Sequence, residues 1–384
     1  MSIGESTVLY LSVFLLTCLF TDRADKNFGI NKRAAVIFSV IALFIPSLLA
    51  GVRADTVGKD VLEYAVRTFD LANSSTSYSY MREYTTEPLG YATLAYITAR
   101  FFNNTGYFLF TSQVMVILPV YIIAYKKRNQ IPMWQTMCAY MFLFYNNSFN
   151  VMKQSVSAVF IMLVYLYMKE HKKAKMIICF LIAFSFHFSA VFGLVFIYMA
   201  KFLNGKRNKN TKIAFVAISL FVLLDLRGIS SFLLANSLLP EKYTRNIEAV
   251  FSKDTNVYLR IVGFNTHVFF DWVYKLFLVF TPLYLMRKVD IKVDKNIKIL
   301  PVIGLAFYSY VLMMFRTIYG VRISLYCDMF LILLVPMITK VFRRESLSDK
   351  IAVNGFFVVF MGAYWFIWVM IYGWSASNYF QFRF

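Results

Sequence analysis

Apolar residues run in long unbroken blocks along this chain, separated by short polar segments. A helix that crosses a bilayer needs about 20 mostly apolar residues. Blocks near that length lie at 3–20, 34–51, 107–125, 131–147, 151–168, 268–286, 299–319, 321–341 and 351–371. The block 176–203 is too long for one crossing and reads as a tight helical hairpin turning near His187, and 213–226 is short but bounded by charge. The amphipathic run 89–103 is read as an interfacial or re-entrant helix, a backbone path that is tolerated where protein covers it. The pattern predicts an all-α polytopic integral membrane protein with about twelve transmembrane helices, residues 1–384 forming a single transmembrane domain. Two long loops fall on its outer face, 52–106 with the interfacial helix and 227–267. The first block lacks a basic leading segment and a small-residue cleavage site, so it reads as the first helix and not as a removable signal. Neither an internal repeat nor a Gly/Pro-interrupted pair of segments recurs in the two halves.

Composition agrees: 59% of the 384 residues are hydrophobic and only 16% are charged, too few for the surface of a soluble protein of this size. Each of the four cysteines sits inside an apolar run and is expected to pack as a small hydrophobe. The net charge of +20 changes the picture only when it is distributed. Loops enriched in Lys and Arg stay cytoplasmic. Six strongly basic loops, at 21–33, 126–130, 169–175, 201–212, 286–298 and 340–350, carry 25 of the 40 cations, 18 of them Lys. One path satisfies all six, with both termini outside. The outer segments carry 14 cations, ten of them Arg. A nucleic-acid partner is therefore not needed to explain the basic charge, most of which is a topology signal.

Outer arginines are the first candidate chemistry. A guanidinium fork binds phosphate bidentately and tolerates partial burial, so an Arg-rich outer face suggests an anionic ligand, best a lipid diphosphate. The competing reading pairs these residues with outer acids or lipid headgroups. Within the spans, Asp271 and Lys275 are four apart on one helix and are expected to neutralise each other. Asp328 has no helical partner of opposite charge and is expected to meet an Arg from another span or a substrate hydroxyl. His187, in IAFSFHFSA at an external helix turn, is the first candidate for a base or an acceptor-positioning group. His267 is a weaker candidate, and His171 lies in a basic loop and reads as solvated. Phosphate-binding glycine loops, dinucleotide fingerprints, nucleophile elbows and zinc motifs are absent from the sequence, so neither a metal site nor a cofactor is expected.

The outer-side residues also resemble a known family. RADTVGKDVLEY, with Arg53, Gly58, Asp60 and Tyr64, is similar to the element that follows the second span of EpsG-like proteins. These are bacterial exopolysaccharide and O-antigen polymerases, broadly of the Wzy type. EPLGY (Glu87, Pro88, Gly90, Tyr91) resembles the family's Glu-Pro-x-Gly-aromatic element, and NVMKQSVSA its Arg-Gln-x-x-Ala segment. IAFSFHFSA resembles its His-x-Ser-Ala segment, and FRTIYGVRISLY a late Arg/Tyr element. Lys153-Gln154 stands where the family has Arg-Gln, which keeps the charge and loses the fork.

The resemblance implies polymerisation of undecaprenyl-diphosphate-linked repeat units at the periplasmic or extracellular face of the bacterial inner membrane. The growing glycan would pass from its lipid diphosphate to the non-reducing end of another lipid-linked unit. It assigns Arg53, Lys153, Arg316 and Arg322 to the diphosphate, and His187, Asp60 and Glu87 to proton transfer or acceptor positioning. Tyr64, Tyr91, Gln154 and Tyr319 would contact sugar, although aromatic-belt anchoring explains the tyrosines equally well. Asp55 and Asp60 are alternatively orienters of Arg53. Membrane lipids and a chain-length regulator are the further partners implied. A flippase for the same lipid-linked sugar, or a ligase using the same donor, remain the competing functions.

Overall fold

The computed structural model describes residues 1–224, 236, 266–287, 293–315, 319–341 and 347–383. Among these, the chain forms helices, with one isolated β-bridge, Arg53 to Phe382. The protein is an all-helical polytopic membrane protein. In order, α1 is Ile3–Asn27, α2 Lys32–Val52, α3 Arg67–Ser74, α4 Tyr78–Tyr84, α5 Leu89–Phe101 and α6 Thr105–Lys127. Then follow α7 Met133–Tyr140, α8 Met152–Lys169, α9 Lys173–Phe186, α10 Ala190–Asn204 and α11 Lys209–Leu224. The last group is α12 Thr266–Arg287, α13 Lys295–Phe315, α14 Tyr319–Asp328, α15 Leu331–Leu334, α16 Ile338–Val341 and α17 Leu347–Trp365.

Local chemistry sets several of the boundaries. Ser2 and Glu5 cap α1 reciprocally, the Ser2 side chain accepting from the Glu5 N–H while Glu5 accepts from the Ser2 N–H. Asn31 and Asn104 cap α2 and α6 through their side-chain oxygens. The block 321–341 forms three helical pieces, not one helix. The chain turns at Met329 and Phe330, and Pro336, which has no N–H to donate, lies in a 3₁₀ turn at Val335–Met337. α7 and α17 each run on into a π-helical turn, Met141–Tyr145 and Phe366–Ile371.

Seven helical stretches among the described residues are long and apolar enough to cross a membrane. They are α1, α2, α6, α12, most of α13, the broken α14–α16 unit, and α17 with its π turn. The other predicted crossings form helices where expected, α7 to α11, but are shorter or interrupted, so length alone does not fix them as spans. α5 has 13 residues, or about 20 Å of helix, too short to cross. The predicted hairpin is present, with His187 capping the end of α9 before α10 begins at Ala190.

Between lipid-embedded helices the hydrophobic effect supplies little, and small residues that allow close approach take its place. At the α2–α6 crossing a Cβ on Gly51 would lie 2.9 Å from the Phe110 Cβ, and one on Gly106 would lie 2.6 Å from the Gly51 carbonyl. Aromatic edges fill the interior. Phe14 packs edge-on against Phe142, Tyr145 and Trp365 at centroid distances of 5.3, 5.5 and 5.4 Å.

Contacts between distant segments sort the ends of the helices into two faces. On one, the Asp25 carboxylate accepts from the Met133 N–H at 3.2 Å, Lys126 pairs with Glu170 at 2.7 Å, and Lys169 approaches Asp294 to 3.4 Å. Asn204 meets Asn296 at 2.6 Å on the same side. This face gathers the described parts of the basic loops. On the other, Ala54 donates to the Gln381 carbonyl at 2.8 Å and Lys59 N–H donates to Asn150 at 2.7 Å. There too Phe380 N–H donates to Ser6 at 2.9 Å. Residues 52–60, the 146–153 turn, Ser6 and residues 376–383 thus share one face.

Inside the bundle, Lys275 lies 3.4 Å from Asp271 and 3.6 Å from Asp328, all three buried. The expected Asp271–Lys275 pair is present, and it is Lys275, not an Arg from another span, that meets Asp328.

Candidate active site

Segment 52–64 positions the first group of candidate residues. Gly58 makes its path possible. The residue sits at φ +100°, a conformation that costs glycine little and side-chain-bearing residues much, and a Cβ there would be 2.7 Å from the Phe149 carbonyl. The segment is braced by the C-terminal tail: Gly58 donates to Ala376 O at 3.0 Å and Arg383 N–H to Val52 O at 2.9 Å. The tail also supplies the Arg383–Asp55 ion pair. Asp55 is therefore occupied by Arg383 and does not orient Arg53.

Arg53 follows the end of α2 and is 1% exposed. Its guanidinium lies 3.9 Å above the Phe149 ring, with Nη2 pointing at the Met152 sulfur at 3.8 Å. Nε and Nη1 have no hydrogen-bond partner, and no carboxylate pairs with the group among the described residues. Burial pulls its pKa down to about 10, so the charge persists at neutral pH. A buried guanidinium with idle donors is costly unless something anionic meets it.

The second group centres on Lys153 in the first turn of α8. Its ammonium bonds Glu87 at 2.6 Å and rests 3.9 Å from the Tyr64 ring centroid and 5.4 Å from that of Tyr91. Arg82 donates to the Glu87 carbonyl at 2.7 Å, fixing the strand-like turn before α5. Gln154, the next residue, is buried and donates to the Arg322 carbonyl, which ties α8 to the first turn of α14. Tyr91 is buried with its hydroxyl unpartnered. Gly90 permits the approach of α5 to the end of α9, since a Cβ there would meet Ser185 and Phe186 at 2.5 and 2.7 Å.

Asp60 is half-buried near Lys153, Glu87 and Arg322. Burial raises its carboxyl to about 6, against the opposing charges of Arg322 and Lys153. That value suits proton acceptance near neutral pH. Glu87, by contrast, is committed to Lys153.

His187 is held differently. The Ser189 N–H donates to its Nδ1 at 3.2 Å, and the Ser189 hydroxyl lies 2.6 Å from the same atom. A backbone N–H can only donate, so Nδ1 is the acceptor and the neutral ring carries its proton on Nε2. The imidazole is thereby set up to donate a hydrogen bond, which favours positioning over proton abstraction. The contact continues through Ser189 to the Tyr326 hydroxyl at 2.8 Å and on to Ser157 at 3.0 Å. Ser189 is visible in the sequence two residues after His187; Tyr326 carries no local signal that links it to the turn.

Arg322 is exposed. Arg316 lies outside the described residues, as does the Tyr319 side chain at the start of α14. So do Arg227, Arg245 and Arg260 of the second outer loop. Arg100 donates to the Ala72 carbonyl at 2.5 Å and to Ser75 at 3.2 Å, closing the end of α3. With Arg82 and Arg383, it fits the structural reading of the outer arginines. His267 packs against Tyr372 with ring centroids 4.2 Å apart and planes tilted by 32°, and His171 follows the end of α8 at φ 56°. No group of three or more His, Cys, Asp or Glu side chains converges on a metal-sized site among the described residues.

The model of the EpsG family matches residues 36–384. No curated protein and no solved structure matches the chain.

Proposed function

Because the chain belongs to the EpsG family, whose members the resemblance ties to polysaccharide polymerisation, we propose that it joins lipid-diphosphate-linked glycans at the outer face of the bacterial inner membrane. The donor is a growing glycan on undecaprenyl diphosphate and the acceptor is the non-reducing end of another lipid-linked repeat unit. The single observation carrying this reading is Arg53: a buried guanidinium with two of its nitrogens unpartnered, beside the motif residues, with Lys153 and Arg322 on the same face.

In the reaction an acceptor hydroxyl attacks the anomeric carbon of the donor. The new glycosidic C–O bond forms as the bond from that carbon to the diphosphate oxygen breaks, its electron pair leaving with the diphosphate. The hydroxyl proton passes to Asp60, whose raised pKa suits it. Arg53, Lys153 and Arg322 stabilise the charge that grows on the diphosphate, and electrostatic stabilisation of this kind is commonly the largest contribution to such a rate. His187, its ring fixed by Ser189, helps position the acceptor. Tyr64 and Tyr91 back Lys153 and offer ring surface to a sugar, and Gln154 fixes the Arg322 backbone. A chain-length regulator is the protein partner this reading implies.

Purified protein in lipid nanodiscs, given undecaprenyl-diphosphate repeat units alone, is expected to produce a ladder of longer glycans. Transfer to a lipid-A-type acceptor without a ladder would establish a ligase instead. Movement of intact lipid-linked units across a vesicle membrane without any new linkage would establish a flippase.

A further inference from the structure

A second polar site lies deeper in the bundle. A cavity of about 650 Å³, its open mouth included, is walled by Asp271, Lys275 and Asp328 together with Ser375, Trp368 and Trp374. None of these residues belongs to the motifs that carry the family resemblance. The cavity adjoins the cationic cluster through consecutive residues of α14: Val321 lines its wall, and the carbonyl of Arg322 accepts from Gln154.

The hydrogen-bond inventory of its walls is incomplete. Asp271 accepts from the Tyr364 hydroxyl at 2.8 Å and faces Lys275 at 3.4 Å. Asp328 accepts from Ser324 at 2.9 Å and faces Lys275 at 3.6 Å, both through Oδ2. Its Oδ1 accepts no hydrogen bond among the described residues. Ser375 lines the same cavity, is 1% exposed, and its hydroxyl has no partner. Two carboxyl groups against one ammonium leave acceptor oxygens in excess of donors, so the complement the group lacks is a set of hydrogen-bond donors.

Aromatic walls narrow the choice of occupant. Trp368 and Trp374 stack with centroids 4.7 Å apart and planes within 30° of each other. Broad ring faces beside acceptor carboxylates suit a ligand with apolar C–H faces and a rim of hydroxyls. A lipid tail would leave the carboxylate and hydroxyl unsatisfied. We propose that this pocket seats a sugar ring of the acceptor glycan, with Asp328 Oδ1 accepting from its hydroxyls, Ser375 completing the rim, and the Trp368–Trp374 wall covering one face. The assignment rests on the polymerase reading for the identity of the glycan, and the geometry presents the acceptor beside Arg322 and the segment that carries Asp60.

Tryptophan fluorescence reads the pocket without any turnover. The probe is the oligosaccharide released by mild acid from the polysaccharide of the cells that make this protein. It is titrated into protein in nanodiscs free of glycoside detergent. A saturable change is expected, and it should disappear in Trp368→Phe with Trp374→Phe, which leaves the other three tryptophans in place. Ser375→Ala removes a hydroxyl that has no partner, so folding should be unaffected, yet binding should weaken about 2–10-fold. Asp328→Asn should weaken it about 10–100-fold. Unchanged affinity in both variants, or no response in the unmodified protein, overturns the proposal. So does a response to sodium or potassium chloride alone that the oligosaccharide does not extend, which would assign the pocket to a cation. The ladder assay on the same preparation separates the two readings. Ladder formation without pocket binding refutes only the sugar seat. Binding without a ladder upholds the seat and refutes the polymerase.

Discussion

Arg53 and Asp60 have energetics that distinguish a functional residue from a structural one. A buried ion pair that loses one member is destabilised, but Arg53 has no acidic partner to abandon among the described residues. Arg53→Met should therefore leave the thermal midpoint unchanged or raised while lowering polymerisation by about 10²–10³-fold. A fall in both would show that the guanidinium is part of the scaffold. For Asp60 the sign of the pH effect follows from a raised pKa. Below about 6 the carboxyl is protonated and cannot accept the hydroxyl proton, so the rate should climb as pH rises through that value. The same shift means that ionising Asp60 costs folding free energy, so its effect on stability is absent at low pH and grows as pH rises from the ordinary carboxyl range to about 6. Because the Arg322 charge lowers this pKa, Arg322→Met should move the rising limb to higher pH. Asp60→Asn should abolish the limb and cost about 10²–10⁴-fold in rate. A profile unchanged by either substitution would remove Asp60 from the proton pathway.

Elements differ in how much of them the sequence discloses. The crossings are legible because bilayer length imposes a period that apolar runs must match, and the hairpin is legible because 176–203 exceeds one crossing and His187 interrupts it. The breaks inside 321–341 and the π turns after α7 and α17 are not, since each depends on how neighbouring helices pack. The Lys153–Glu87 contact joins residues 66 apart in sequence, and Asp328–Lys275 joins two helices, so neither has a local signature. The role of Ser189 in choosing the His187 tautomer is likewise invisible until the turn is built. Gly58 is the reverse case: its place in the motif has a backbone cause. Gly58→Ala should cost about 1–3 kcal/mol for the strained φ alone, before Phe149 is displaced, read as a lower thermal midpoint.

At the scale of the molecule, a division of labour runs between the two faces. The basic face collects Lys-rich loops that bind one another, as at Lys126–Glu170. The opposite face collects the motif residues. Single cysteines at 60 and at 206 should therefore react with a membrane-impermeant maleimide from opposite sides of the membrane, position 60 from outside in intact cells. Labelling of both from one side would break this arrangement. Residues 374–383 lie against 52–58 and Ser6. Membrane helices are delivered to the bilayer in chain order, so the strap that braces the Arg53 segment arrives only after helices α1 to α17. A partly synthesised chain would hold Arg53, Asp60, Lys153 and His187 in the membrane without the brace that fixes their backbone. The backbone around Arg53 would thus be fixed only once synthesis has passed Arg383.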